Sequence, residues 1–174
     1  LYVEDGLLKP ATLKRLKEAG HLTGNHTYHH VLGEGAAETK KELTDCETVF
    51  GETAGHSLKP LFRSPAYAKR PWLNKTLLAN GYTVNLFASL DVQDWTNPPP
   101  PIDGMVECVA EEVEPGDIIL FHVGPRHTAP ALPAILQALA EQGYHFVTAE
   151  ELLYFGKAKR DARGSSRLCK SYYR

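Results

Sequence analysis

The sequence predicts an α/β protein in which a parallel sheet is flanked by helices, and three observations carry that reading. Short apolar runs alternate with amphipathic segments along the chain. Glycines at Gly20, Gly51, Gly81, Gly116 and Gly143 punctuate the segments. The polar segments richest in chemistry follow the apolar runs, which is where reactive groups gather in parallel α/β architectures.

Taken in order, Leu1 to Val3 reads as the end of a strand. Pro10 opens a helix, because its fixed φ and missing N–H suit a first turn. Leu13, Leu16 and Ala19 form its apolar stripe, and Gly20 closes it. Leu43, Cys46 and Phe50 mark a second amphipathic helix, expected to end at Gly51. Lys59 to Arg63 is a short strand, and Pro71 to Asn80 a helix stopped by Gly81. The apolar run Tyr82 to Leu90 is expected to be one strand. Ile102, Val106, Val109 and Val113 have helical spacing, and Gly116 separates them from the strand Ile118 to Phe121. A helix with Leu132, Ile135, Leu136 and Leu139 inward ends at Gly143. Tyr144 to Val147 is then a strand, and Ala149 to Tyr154 a last short helix. The run Pro98 to Pro101 is a stiff connection. The stretch 157–174 is basic and unpatterned, and is expected to be a loosely attached tail after a domain spanning 1–156.

With 174 residues and 43% hydrophobic content, one domain around one sizeable core is the expectation. A net charge of −2 removes the electrostatic case for nucleic acid as main partner. No apolar run approaches the ~20 residues that cross a bilayer, so no membrane association is expected. The first residues carry neither the basic lead nor the long apolar stretch of a signal peptide. Cys46, Cys108 and Cys169 are too scattered for a metal knuckle; one disulfide with a leftover thiol and three buried thiols both fit.

The chemistry concentrates in Gly24-Asn25-His26-Thr27-Tyr28-His29-His30. Imidazoles at i and i+4 present two neutral nitrogen donors to a borderline metal such as zinc. Alone, such a pair reads more readily as polar loop. Arg63-Ser64-Pro65, Asp91-Val92-Gln93-Asp94-Trp95 and Leu120-Phe121-His122 follow, each at a strand end. Each has a bland alternative. Asp91 suits a strand terminator or helix cap, Trp95 a cleft-wall aromatic, and His122 a satisfied core histidine. Arg63 suits a structural ion pair with Asp91, Asp94 or a glutamate. Leu120 suits packing. Tyr67 and Trp72 fit a sugar-stacking surface or helix packing, and His29 fits a surface position.

In combination these segments resemble the polysaccharide deacetylases of the NodB-homology type, the fourth carbohydrate esterase family. Four of that family's five motifs are recognisable. Gly24 to His30 resembles His-Ser/Thr-x-x-His. Arg63-Ser64-Pro65-Ala66 is similar to Arg-x-Pro-Tyr, with Tyr67 one residue late. Asp91 to Trp95 matches Asp-x-x-Asp-Trp, and Leu120 to His122 matches Leu-x-His. The closing segment Gly143 to Leu153 is also similar, so the resemblance covers roughly Leu1 to Phe155. It implies a distorted parallel (β/α) barrel. The Thr-Phe-Asp-Asp motif, which supplies the general base and a third metal ligand, belongs before residue 1, so an N-terminally shortened barrel is expected.

The implied chemistry is metal-dependent removal of acetyl groups from chitin, peptidoglycan or xylan. His26 and His30 would hold the metal, zinc or alternatively cobalt. His122 would be general acid, with Asp91 on its other ring nitrogen and Arg63 completing the catalytic set. Ala66, Tyr67, Trp95 and Leu120 would contact substrate, the Ala66 N–H helping to hold an oxyanion. A third metal donor would have to come from Glu4, Asp5 or elsewhere. Because the Asp-Asp motif is missing, a pseudoenzyme that binds glycan without turnover is the second reading, and a structural α/β domain the third. The resemblance also points to an extracellular or cell-surface location. An open barrel edge would need covering by Arg160 to Arg174 or by a second copy, so a homo-oligomer is expected.

Overall fold

The computed structural model describes residues 10–155 and 167–169. The chain divides between Phe87 and Ala88 into two compact units. The expected strand end at Leu1 to Val3, together with Glu4 and Asp5, lies outside the described residues. In place of one expected core, the described apolar residues form separate clusters in the two units. The reason lies in the Tyr82 to Leu90 run, which is not one strand. It contributes Val84–Asn85 to one sheet and Leu90–Asp91 to another, with 86–89 outside either.

In the first unit, α1 (Pro10–Glu18) and α2 (Ala36–Ala54) pack through Leu13, Cys46 and Phe50, with Leu58 beside them. Gly51 does not stop α2. The helix runs one turn further to Gly55, whose left-handed φ of 68° lets its N–H donate to the Gly51 carbonyl at 2.9 Å. Strand β1 (Leu61–Phe62) pairs in parallel with β2 (Val84–Asn85), Leu61 opposite Val84. On the other side of β1, Asn25 donates its N–H to Leu61 O and accepts from Arg63 N–H, both at 2.9 Å. That bridge fixes the chain one residue before His26. Helix α3 (Leu73–Ala79) lays Leu73 and Leu77 against Phe62, Tyr82, Leu43 and Leu32. Each such buried side chain contributes roughly 1.5–3 kcal/mol.

In the second unit three short parallel strands are ordered β4-β3-β5, where β3 is Leu90–Asp91, β4 Ile119–Leu120 and β5 Arg167–Leu168. Helices α4 (Ile102–Glu112) and α5 (Thr128–Glu141) cover them through Met105, Cys108, Val109, Ala131, Ile135 and Leu139. A short α6 spans Ala149–Phe155. Strand β5 corrects the expectation of a loose tail at 167–169. It pairs with β3, and the next residue, Cys169, is buried and disulfide-bonded to Cys108. Cys46 is a buried thiol outside any disulfide, so one disulfide plus one thiol is the outcome. The inward face of α5 is also shifted: Leu136 is exposed, and Ala131 is buried instead. The expected strand Tyr144 to Val147 is unpaired. Phe146 and Val147 are exposed along a cavity also lined by Ile119, Phe121 and Leu136. No described helix is long and apolar enough to cross a membrane.

Candidate active site

In the first unit the structure brings His26, His30 and Arg63 together. The loop that carries the imidazoles hangs from Asn25, which is buried. Its amide donates to Leu43 O at 3.0 Å and to the Tyr82 hydroxyl at 2.7 Å, and its Oδ1 accepts the Thr27 N–H at 2.8 Å. Thr27 and His30 both take positive φ, 68° and 61°. The left-handed region is uncommon for non-glycine residues, most of all for a β-branched one. The turn therefore persists only because neighbours hold it.

His26 is 5% exposed and its Nδ1 lies 2.6 Å from the Arg63 carbonyl. A carbonyl only accepts, so Nδ1 carries the proton and the lone pair sits on Nε2. Burial first, then the adjacent Arg63 guanidinium, pushes the ring's pKa down to about 3, so the imidazole is neutral at physiological pH. The His30 Nε2 is 3.1 Å from the His26 Nε2, with the rings edge to face. Zinc at ~2.0–2.1 Å with tetrahedral angles sets its nitrogen ligands ~3.3 Å apart. Backbone anchorage of the other ring nitrogen is the usual support of a histidine ligand. The two imidazoles thus fit as a ligand pair for a borderline divalent cation. Among the described residues no third His, Cys, Asp or Glu completes a cluster with them. Arg63 Nη2 donates to His26 Nε2 at 2.9 Å.

The rest of the arginine motif turns sharply. Ala66 and Tyr67 have φ of 48° and 53°, in a 3₁₀ turn at Pro65–Tyr67. Ala66 is exposed, while the Tyr67 ring stacks on Phe87 with centroids 6.0 Å apart. Trp72 is half-buried and donates its indole N–H to Thr39 Oγ1 at 3.0 Å, which favours helix packing over a sugar platform.

In the second unit the expected Asp91–His122 pair is not formed. The His122 Nδ1 donates instead to Asp94 Oδ1 at 2.7 Å. Asp94 Oδ2 accepts the His122 backbone N–H and the Thr128 hydroxyl, each at 2.7 Å. Asp94 is 1% exposed; its burial raises the carboxyl pKa, but those three donors outweigh it and hold the group below the usual carboxylate range. Asp91 has another task. Its Oδ1 accepts the N–H of Gln93 at 2.8 Å, an Asx turn that accommodates Gln93 at φ 55° and swings Asp94 toward the histidine. Thr128, in the first turn of α5, is the partner that sequence reasoning missed; no spacing signal ties it to Asp94. Trp95 is 58% exposed and Leu120 is buried on β4. The exposed indole suits substrate contact, and Leu120 serves packing.

The parallel α/β scaffold thus carries a histidine pair in the first unit and an Asp–His pair in the second. The polysaccharide deacetylase family profile matches residues 2–84. A peptidoglycan-N-acetylglucosamine deacetylase of Bacillus cereus is 34% identical over 152 residues, 84% of this chain and 70% of that protein. A family 4 carbohydrate esterase from Streptomyces lividans, solved with acetate, superposes with a TM-score of 0.69 at 29% identity, covering 77% of this chain and 68% of that one. A family 4 pseudoenzyme from Bacillus anthracis shares the fold, with a TM-score of 0.72 at 24% identity over 83% of this chain and 50% of its own. The chain belongs to the polysaccharide deacetylases of carbohydrate esterase family 4, and it has their distorted (β/α)-barrel type of fold.

Proposed function

We propose that this chain is a metal-dependent carbohydrate deacetylase acting on acetylated glycans of the peptidoglycan or chitin type, with O-acetyl xylan as the alternative substrate. The carrying observation is the His26–His30 pair, Nε2 atoms 3.1 Å apart, with the His26 tautomer fixed by the Arg63 carbonyl. A divalent cation, zinc or cobalt, would supply Lewis-acid polarisation of the acetyl carbonyl and acidify a bound water toward a pKa of ~7. His26 and His30 would hold it through their Nε2 atoms. His122, protonated, gives its Nε2 proton to the leaving amine or alcohol while Nδ1–H stays on Asp94. Asp94 fixes the ring and offsets its charge. Trp95 offers an exposed aromatic face to a sugar ring.

The test is acetate release from chito-oligosaccharide, peptidoglycan and aryl acetate, before and after chelation and on adding zinc or cobalt. Loss on chelation with recovery on metal addition is expected; a rate that neither treatment changes defeats the metal reading. The second reading, a glycan-binding pseudoenzyme, is favoured by the absence of a three-donor cluster among the described residues. Binding of chito-oligosaccharide without acetate release under saturating metal would select it.

A further inference from the structure

We propose that Glu42 is the positioning residue of the His26–His30 loop, holding the two imidazoles at chelating distance from a helix outside the motif. The proposal rests on the metal reading above. Glu42 projects from α2 and is 8% exposed. Its Oε2 accepts the backbone N–H of Tyr28 at 3.1 Å and of His29 at 2.8 Å. Its Oε1 accepts the His29 ring Nδ1–H at 2.8 Å. All these donors lie between the two imidazoles in sequence. One carboxylate on a rigid helix therefore clamps the segment that must turn back for His30 to meet His26.

The clamp answers a specific mechanical need. Thr27 and His30, on either side of the clamped pair, hold positive φ, a conformation that non-glycine residues keep only when their surroundings over-determine it. Asn25 secures the Thr27 end through its side chain. Glu42 secures the middle, and with it the approach to His30. This also accounts for His29, which the metal pair does not use. Its ring sits edge-on to Tyr28, with centroids 4.6 Å apart, and serves as the second arm of the clamp. A buried carboxylate is costly to hold without such donors, so the contact specifies both the loop and the helix.

The experiment measures cobalt(II) binding to the whole chain by titration calorimetry and by the visible spectrum of the bound ion. Glu42→Gln keeps the size and one carbonyl acceptor but loses the charge, and is expected to weaken cobalt about 10–100-fold, the range for supports of metal ligands. Amide exchange at Tyr28 and His29 in the metal-free variant should accelerate with it. If wild type binds cobalt and a folded Glu42→Gln binds it within about threefold, the positioning role is overturned while the metal reading stands. If wild type takes up no cobalt, both fall. If Glu42→Gln does not fold by circular dichroism, His29→Ala carries the test, because that side chain is exposed. It should weaken cobalt in the same direction, and unchanged affinity overturns the proposal.

Discussion

Breaking the Cys108–Cys169 disulfide should destabilise the second unit by an amount the structure lets one work out. The bond closes a segment with a sequence separation of 61, and both sulfurs are buried. Chain-entropy arithmetic for a loop of that length gives about 4 kcal/mol of stabilisation, by restricting the unfolded chain. For a chain of this size each kcal/mol moves the melting temperature by roughly 2–4 °C, so the double variant Cys108→Ala/Cys169→Ala should melt about 8–16 °C lower. Thiol titration provides the control. Cys46 is fully buried and its thiol is pushed up to about 11 by burial, so the native oxidised chain should react slowly, the denatured oxidised chain should show one thiol, and the denatured reduced chain three.

The effect should also be local. Cys169 donates its N–H to Asp91 O at 3.2 Å, and Gln93 donates its amide to Cys169 O at 3.3 Å. Freed from its anchor, β5 would stop bracing the turn that aims Asp94. Amide exchange at Gln93 and His122 should rise in the double variant. A melting shift below about 2 °C, or three titratable thiols without reductant, would refute the reasoning.

Asp94→Asn should lower deacetylation kcat by about 10²–10⁴-fold, the range for a positioned acid, whereas Asp91→Asn, whose amide oxygen can still accept the Gln93 N–H, should stay within about tenfold; steady-state kinetics on one substrate decides it. His26 titrates near 6.5 unfolded and near 3 folded, so the folded state favours the neutral ring. Its contribution is complete above pH 6.5 and is lost on acidification at up to ~1.4 kcal/mol per pH unit until about pH 3; urea unfolding against pH should show the slope, and His26→Asn should remove it. Gly24→Ala would put a Cβ 3.0 Å from Leu61 Cβ and 3.2 Å from Leu61 O, and should cost about 1–3 kcal/mol in denaturant unfolding by pushing β1 away from the histidine loop.

How much of this was legible depended on whether a residue's partner was local. The His26–His30 pair was readable from its spacing, and the two Nε2 atoms do lie 3.1 Å apart, though they meet through a loop with positive φ at Thr27 and His30 and not across a helical turn. Helix α1 was readable from Pro10 and its leucines. Asp91 and Asp94 were not separable, because both are carboxylates in one motif. Which of them turns inward is decided by the conformation at Gln93 and by a hydroxyl on α5. Glu42 carried no sequence signal of its own, since periodicity reports where a residue faces and not what meets it there. The break between β2 and β3 is marked by no glycine or proline in the run Tyr82 to Leu90. Strand β5 was illegible for a further reason: two residues carry no periodicity, and its place is set by a cysteine on α4.

The carboxylates of this fold show how one chemical group takes three jobs. Asp91 and Glu42 spend their oxygens on N–H groups of the loops they shape, so they order the backbone. Glu47 accepts the Tyr82 hydroxyl at 2.7 Å, and through Tyr82 it braces Asn25 and the turn into His26. Asp94 differs in what its donor can do next. Its imidazole partner has a second nitrogen on a side chain that remains 32% exposed, so a charge held inside is coupled to a proton that can leave. An ion pair sealed on both sides has nowhere to send the proton, so the partial exposure of His122 is necessary for proton transfer; it is not sufficient, because His29 on Glu42 is more exposed still and closes a clamp. In the proposed reaction the second carboxylate of the Asp-x-x-Asp-Trp segment would orient the acid, because it alone meets the His122 ring, while the first shapes the turn.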